Sequence, residues 1–144
     1  MNIRRFSSSL MVAACALAFG GAAAAASSDH LPALQKQGAI SYLSGGIGKT
    51  EAKAMQRAAA KYPLELEFVK HAHTKNEYLA DVKVKVRDDH HKLILDTTAN
   101  GPFLLAKLPP GKYTVDAVRN GKSQQRSVEI AAHAHRQVVF EWMS

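Results

Sequence analysis

The chain has 144 residues, 47% of them hydrophobic, and its 19 Lys and Arg against 12 Asp and Glu give a formal charge of +7. That length excludes two independent domains, and one cysteine, Cys15, excludes an internal disulfide framework. The basic balance favours anionic partners, such as acidic glycans, lipopolysaccharide or phospholipid headgroups, with simple solubility as the plainer account.

Arg4 and Arg5 precede an apolar run over 10–19, then Gly20-Gly21 and five alanines. This pattern reads as a secretory signal peptide over 1–26, cut after Ala26. The run is short for a membrane span of about 20 residues, so no transmembrane span is expected after signal removal. Export places the protein in the periplasm or outside the cell. Val12-Ala13-Ala14-Cys15 offers an alternative, a lipoprotein anchored through Cys15, although the sequence stays apolar through Phe19 where a lipoprotein turns polar. The expected exported chain, 27–144, has 144 − 26 = 118 residues and no cysteine, and loss of Arg4 and Arg5 lowers its charge from +7 to +5.

Residues 27–38 read as a loose lead-in, and 39–43 as a first strand. The glycine-rich turn 44–48 leads into a helix over 50–62, where Met55, Ala58, Ala59 and Tyr62 share one face and Pro63 stops it. Leu64, Leu66 and Phe68 alternate with Glu65 and Glu67 in a second strand. The polar stretch 71–77 reads as a loop. After it come strands over 78–87 and 92–97, separated by Asp88-Asp89-His90, and a break at Asn100-Gly101-Pro102. Strands over 103–108 and 112–118 flank the turn Pro109-Pro110-Gly111. Asn120-Gly121 is the strongest hairpin signal, because a type I′ turn needs positive φ at both positions. Strands over 127–131 and 137–142 complete the chain.

The segment Ala80-Asp81-Val82-Lys83-Val84-Lys85-Val86, with Asp96-Thr97, Asn100-Gly101-Pro102-Phe103 and the run from Leu108-Pro109-Pro110-Gly111 to Lys112-Tyr113-Thr114-Val115, resembles the carboxypeptidase regulatory-like domain. That family belongs with the transthyretin-like, or prealbumin-like, β-sandwiches, and the likeness covers residues 78–142. It implies a mainly β fold, a transthyretin-like β-sandwich of about seven strands with one helix in a strand-helix-strand extension, the sandwich domain over 71–144 forming one globular unit with the extension over 39–70. It also implies a non-catalytic binding or structural module of the bacterial cell envelope, without a cofactor, whose partner is an envelope protein or an acidic glycan. Small exported bacterial proteins with this domain carry a similar front part.

Other motifs compete with that reading. Gly48-Lys49-Thr50 before a helix is how a phosphate-binding loop ends, but such a loop needs glycine five residues earlier and position 43 is leucine, so a structural turn is the better account. His71-Ala72-His73 and His133-Ala134-His135 each present two imidazoles on one side of an extended chain, which suits zinc, copper or nickel. The alternative function is therefore a periplasmic transition-metal-binding protein using His71, His73, His133 and His135, against histidines that merely sit in polar loops. An enzyme would need an unrecognised site: the expected exported chain has no cysteine nucleophile, no Gly-x-Ser-x-Gly elbow and no His-Glu-x-x-His motif. Within the transthyretin-like group, a hydroxyisourate hydrolase ends Tyr-Arg-Gly-Ser, whereas this chain ends Glu141-Trp142-Met143-Ser144. A related sandwich type crosslinks lysine to an asparagine of its last strand, and 137–142 contains none.

Asp81, Asp88, Asp89, Asp96 and Asp116 fit turn and strand-end chemistry better than paired acid–base catalysis. Lys83, Lys85 and Arg87 alternate with valines as the solvent face of a strand, and Phe140 and Trp142 share a face with Val138 as core. No aromatic-plus-basic motif points to nucleic acid.

Overall fold

The computed structural model describes residues 30–143. The expected signal peptide, its cut after Ala26 and the alternative anchor at Cys15 lie outside them. The described chain runs β1 (Gln35–Gln37), β2 (Ile40–Gly45), α1 (Lys49–Ala59), β3 (Leu64–His71), β4 (Asn76–Tyr78), β5 (Val82–Arg87), β6 (Leu93–Ala99), β7 (Phe103–Lys107), β8 (Gly111–Arg119), β9 (Lys122–Ile130) and β10 (Arg136–Met143). Two sheets form. The larger has the order β1-β2-β7-β3-β10, with β4 added to the end of β3, and the smaller has the order β6-β5-β8-β9.

Alternation along the strands supplies the core between the sheets. Leu64, Leu66 and Phe68 of β3, Leu104 and Ala106 of β7, and Phe140 and Trp142 of β10 face Val82, Val84 and Val86 of β5 and Tyr113, Val115 and Ala117 of β8. The β-sandwich expected from the sequence is the fold observed. A second apolar cluster lies on the outer side of the larger sheet, where Met55 and Ala59 of α1 cover Leu43, Phe103 and Leu105. Strand β7 is therefore buried on both faces, which explains its unbroken apolar run from Phe103 to Ala106.

The strand-helix-strand unit is part of the sandwich wall. Strand β7 pairs antiparallel with both β2 and β3, so β2 and β3 are parallel with β7 inserted between them. Strand β3 in turn separates β7 from β10, to which it pairs in parallel from Leu64↔Arg136 to His71↔Met143. Without β2 and β3, β7 and β10 have no neighbour in their sheet.

The described residues hold ten strands where the chain-order reading has eight, for local reasons. The loose lead-in contains β1, turned back onto β2 at Gly38 with φ 56°. Gln37 then stands in for a backbone partner at the edge of the other sheet: its Oε1 accepts from Asp96 N–H at 2.5 Å and its Nε2 donates to Asp96 O at 3.0 Å. The expected loop 71–77 contains the start of β4, whose Tyr78 pairs with Val69. The expected strand 78–87 is two strands in different sheets, because the chain changes sheet at Asp81, with φ 60°. Leu79 N–H still donates to Phe68 O of the first sheet, and Asp81 N–H donates to Ala99 O of the second. Strand β9 starts at Lys122, five residues before the expected position, because the hairpin turn at Asn120 (φ 49°) and Gly121 (φ 75°) pairs Arg119 directly with Lys122.

Candidate functional site

At one end of the sandwich the inward-facing rows run out of apolar residues together. The row Leu64, Leu66, Phe68 on β3 continues to Lys70, and the row Tyr113, Val115, Ala117 on β8 continues to Arg119. Lys122 stands opposite Arg119 across the hairpin, on the same side of the sheet. In β10 the last inward residue is Trp142, the register partner of Lys70. The result is a cleft of about 200 Å³ lined by Lys70, Arg119, Asn120, Lys122, Trp142 and Met143.

Trp142 forms its floor. The ring is 5% exposed, packs near Phe68 and Phe140, and donates its Nε1–H to Lys122 O at 3.2 Å. Arg119 donates through Nε to Ala80 O at 3.5 Å, and its terminal guanidinium nitrogens make no hydrogen bond to the described residues. Among the described residues, Lys70, Arg119 and Lys122 make no ion pair with a carboxylate. Glu77 faces Lys70 across β3 and β4 but is exposed and makes no ion pair with it. A larger cleft of about 410 Å³ at the Asp88-Asp89 turn differs in kind, since Lys112 and Arg136 there share the lining with Asp88, Asp89 and Glu129.

The residues singled out by sequence reasoning are placed elsewhere. Lys83, Lys85 and Arg87 do form a solvent face, but Lys85 sits between Asp96 and Asp116 in register. Asp116 accepts from Arg87 Nη1 at 2.8 Å and from Gln125 Nε2 at 2.7 Å. Asp88 organises its turn, accepting from the N–H groups of His90 and Lys92, each at 2.9 Å. Phe140 and Trp142 are core. In the glycine turn, Gly46 has φ 102° and donates its N–H to Glu51 Oε1 at 2.8 Å, so a carboxylate of the chain itself meets the start of α1.

The two His-x-His units do not meet. His71 lies at one end of the β3–β10 ladder, opposite Met143, and His135 just before the other, eight positions along β10, or about 26 Å at roughly 3.3 Å per residue. His71 Nδ1 is 2.7 Å from Asn76 Oδ1, and His73 lies in the β3–β4 loop. His133 (φ 59°) and His135 border a cleft of about 400 Å³ beside Tyr62 and Pro63. Both ring nitrogens of His135 are engaged, Nδ1 with Tyr62 O at 2.8 Å and Nε2 with Glu65 Oε2 at 2.9 Å. A carbonyl only accepts, so Nδ1 carries a hydrogen, and one proton lies between Nε2 and the buried carboxylate. Gln137 extends this cluster to Glu67, whose carboxyl is pushed above its usual range first by burial and then by the charge of Glu65, with the Gln137 hydrogen bond pulling the other way. Among the described residues no group of three or more His, Cys, Asp or Glu has a metal-holding arrangement.

Lys70, Arg119 and Lys122 were not singled out in the sequence. Each is an ordinary basic residue at a strand end, and the only local signal is that Arg119 and Lys122 flank Asn120-Gly121. That β3, β8 and β9 share an end is a property of the sheet order.

No protein-family profile and no curated protein matches the chain. Among solved structures, the Bacillus anthracis TIE protein is similar at 18% identity and a TM-score of 0.39, over 56% of this chain and 16% of that one. Among the described residues, no helix is long and apolar enough to cross a membrane.

Proposed function

We propose that the protein is an exported, non-catalytic binding module of the bacterial cell envelope that holds an anionic group between Lys70, Arg119 and Lys122. The supporting observation is the convergence of three cations from three strands on one cleft with no acidic residue in its lining. In such a cleft the cations repel one another until an anion arrives, and the low-dielectric floor of Trp142 strengthens the attraction. The remaining polar groups near the expected candidate residues hold the fold itself: Asp88 its turn, Asp116 the face of the smaller sheet, and Glu51 the glycine turn.

The test is titration of the exported chain with dextran sulfate, a polyanion without preference for sugar identity, at rising salt. Binding is expected to weaken as salt screens the cleft, and the triple variant K70A/R119A/K122A is expected to bind at least tenfold more weakly. Equal binding by the variant sinks the assignment.

A further inference from the structure

We infer that the anion is a phosphate of a lipid headgroup, so that this end of the sandwich docks on an anionic membrane surface; the inference rests on the anion-site reading above. The chemistry of the cleft favours this ligand. At about 200 Å³ it has room for a phosphate group. A glycan site also needs an aromatic face, and Trp142 offers none: the ring is 5% exposed and its N–H is engaged with Lys122 O. Arg119 supplies what a tetrahedral oxyanion prefers, a guanidinium fork whose terminal nitrogens make no hydrogen bond to the described residues. Lys70 and Lys122 add two ammonium groups.

The rim of the cleft supports a membrane surface over free phosphate. Met143, the largest exposed apolar side chain in the described chain by fraction at 68%, lines the same cleft as the three cations. Cations beside an exposed apolar group match the headgroup boundary, where the charges meet phosphates and the thioether reaches the first methylenes. Asn120, at the tip of the β8–β9 hairpin, completes that rim. Glu77 is the acidic residue nearest in register, opposite Lys70, and it lies on the β4 side of the cleft outside the lining.

Sedimentation of the exported chain with phosphatidylglycerol–phosphatidylcholine vesicles, against phosphatidylcholine alone, tests the inference. Three cations at an anionic surface give on the order of 100-fold in partitioning, so K70A/R119A/K122A is expected to lose about that factor and M143S a few-fold. K83A/K85A, which removes two charges from the solvent face of the smaller sheet, away from the cleft, is expected to stay within about threefold of the unsubstituted chain. K70Q/R119Q/K122Q replaces the alanine variant if the latter fails to melt cooperatively. Equal losses in K83A/K85A and the triple variant reduce the effect to net charge and overturn the site. Binding of dextran sulfate or inorganic phosphate through the cleft without vesicle binding leaves the anion site standing and overturns the lipid. Failure to bind any of these overturns both.

Discussion

Tyr113 shows how one side chain ties the turn Pro109-Pro110-Gly111 to the core. Its ring is buried between the sheets while its hydroxyl donates to Pro109 O at 2.6 Å, closing the corner four residues upstream. Burial, and then the charges of Asp88 and Asp89, push the phenol above its ordinary value of 10.0. The folded protein therefore holds this proton more tightly than the unfolded chain. The contribution is complete below pH 10 and is lost as the pH rises above it. Tyr113→Phe is expected to lower stability by about 1 kcal/mol at pH 7, and denaturant melts of the two proteins are expected to converge above pH 10. Glu67 has the opposite consequence for the fold. Its raised carboxyl pKa means that ionisation at neutral pH costs stability, a cost present above the folded pKa and relieved as the pH falls toward 4.5. Glu67→Gln keeps the geometry of the Gln137 contact and is expected to stabilise by a few tenths of a kcal/mol at pH 7, a figure kept small by solvent screening of a half-buried group. Melts at pH 4 are expected to show no gain.

Between the elements, the contact that fixes the β9–β10 loop is the His135–Glu65 pair. Arg136 N–H donates to Pro63 O at 2.8 Å, and His135 reaches both Tyr62 O and Glu65, so the loop is fastened to the corner where α1 gives way to β3. His135→Ala leaves the buried Glu65 with Gln137 at 3.5 Å as its remaining side-chain partner. A loss of about 1–3 kcal/mol is expected, with His135→Gln recovering part of it, as read by chemical denaturation at pH 7. Much at this scale was legible in the sequence. The helical face of Met55, Ala58 and Ala59 follows from a 3.6-residue period and stands, whereas α1 ends at Ala59, before the expected stop at Pro63, and Tyr62 reaches the same cluster from the turn that follows the helix. The Asn120-Gly121 hairpin stands for the same kind of local reason. The change of sheet at Asp81 was not legible, because apolar residues recur at every second position from Tyr78 through Ala80 to Val82, Val84 and Val86 while the chain crosses from one sheet to the other. Strand β4 is exposed at all three positions and carries no alternation to read.

The whole molecule distributes charge in a way that sequence order conceals. The visible basic strip Lys83, Lys85, Arg87 is answered by Asp96 and Asp116 once β6 and β8 come alongside, whereas Lys70, Arg119 and Lys122, apart in the chain, end up together. A positional pattern along one strand can be read from the sequence, but convergence of three strand ends requires the order β6-β5-β8-β9 and the facing of the two sheets. This arrangement predicts a stability signature independent of any membrane. Mutual repulsion among the three cations works against the native state, and an anion that binds the folded cleft and not the unfolded chain removes it. At a tenfold excess over its Kd such an anion stabilises by about 1.4 kcal/mol. Inorganic phosphate is therefore expected to raise the melting temperature beyond the effect of sodium chloride at equal ionic strength, and K70A/R119A/K122A is expected to lose that increment. General exclusion of phosphate from protein surfaces also stabilises folds, but it acts on both proteins alike, so the difference between them isolates the cleft. An equal rise in the two melting temperatures would show that the three cations share a place in the fold without acting together on an anion.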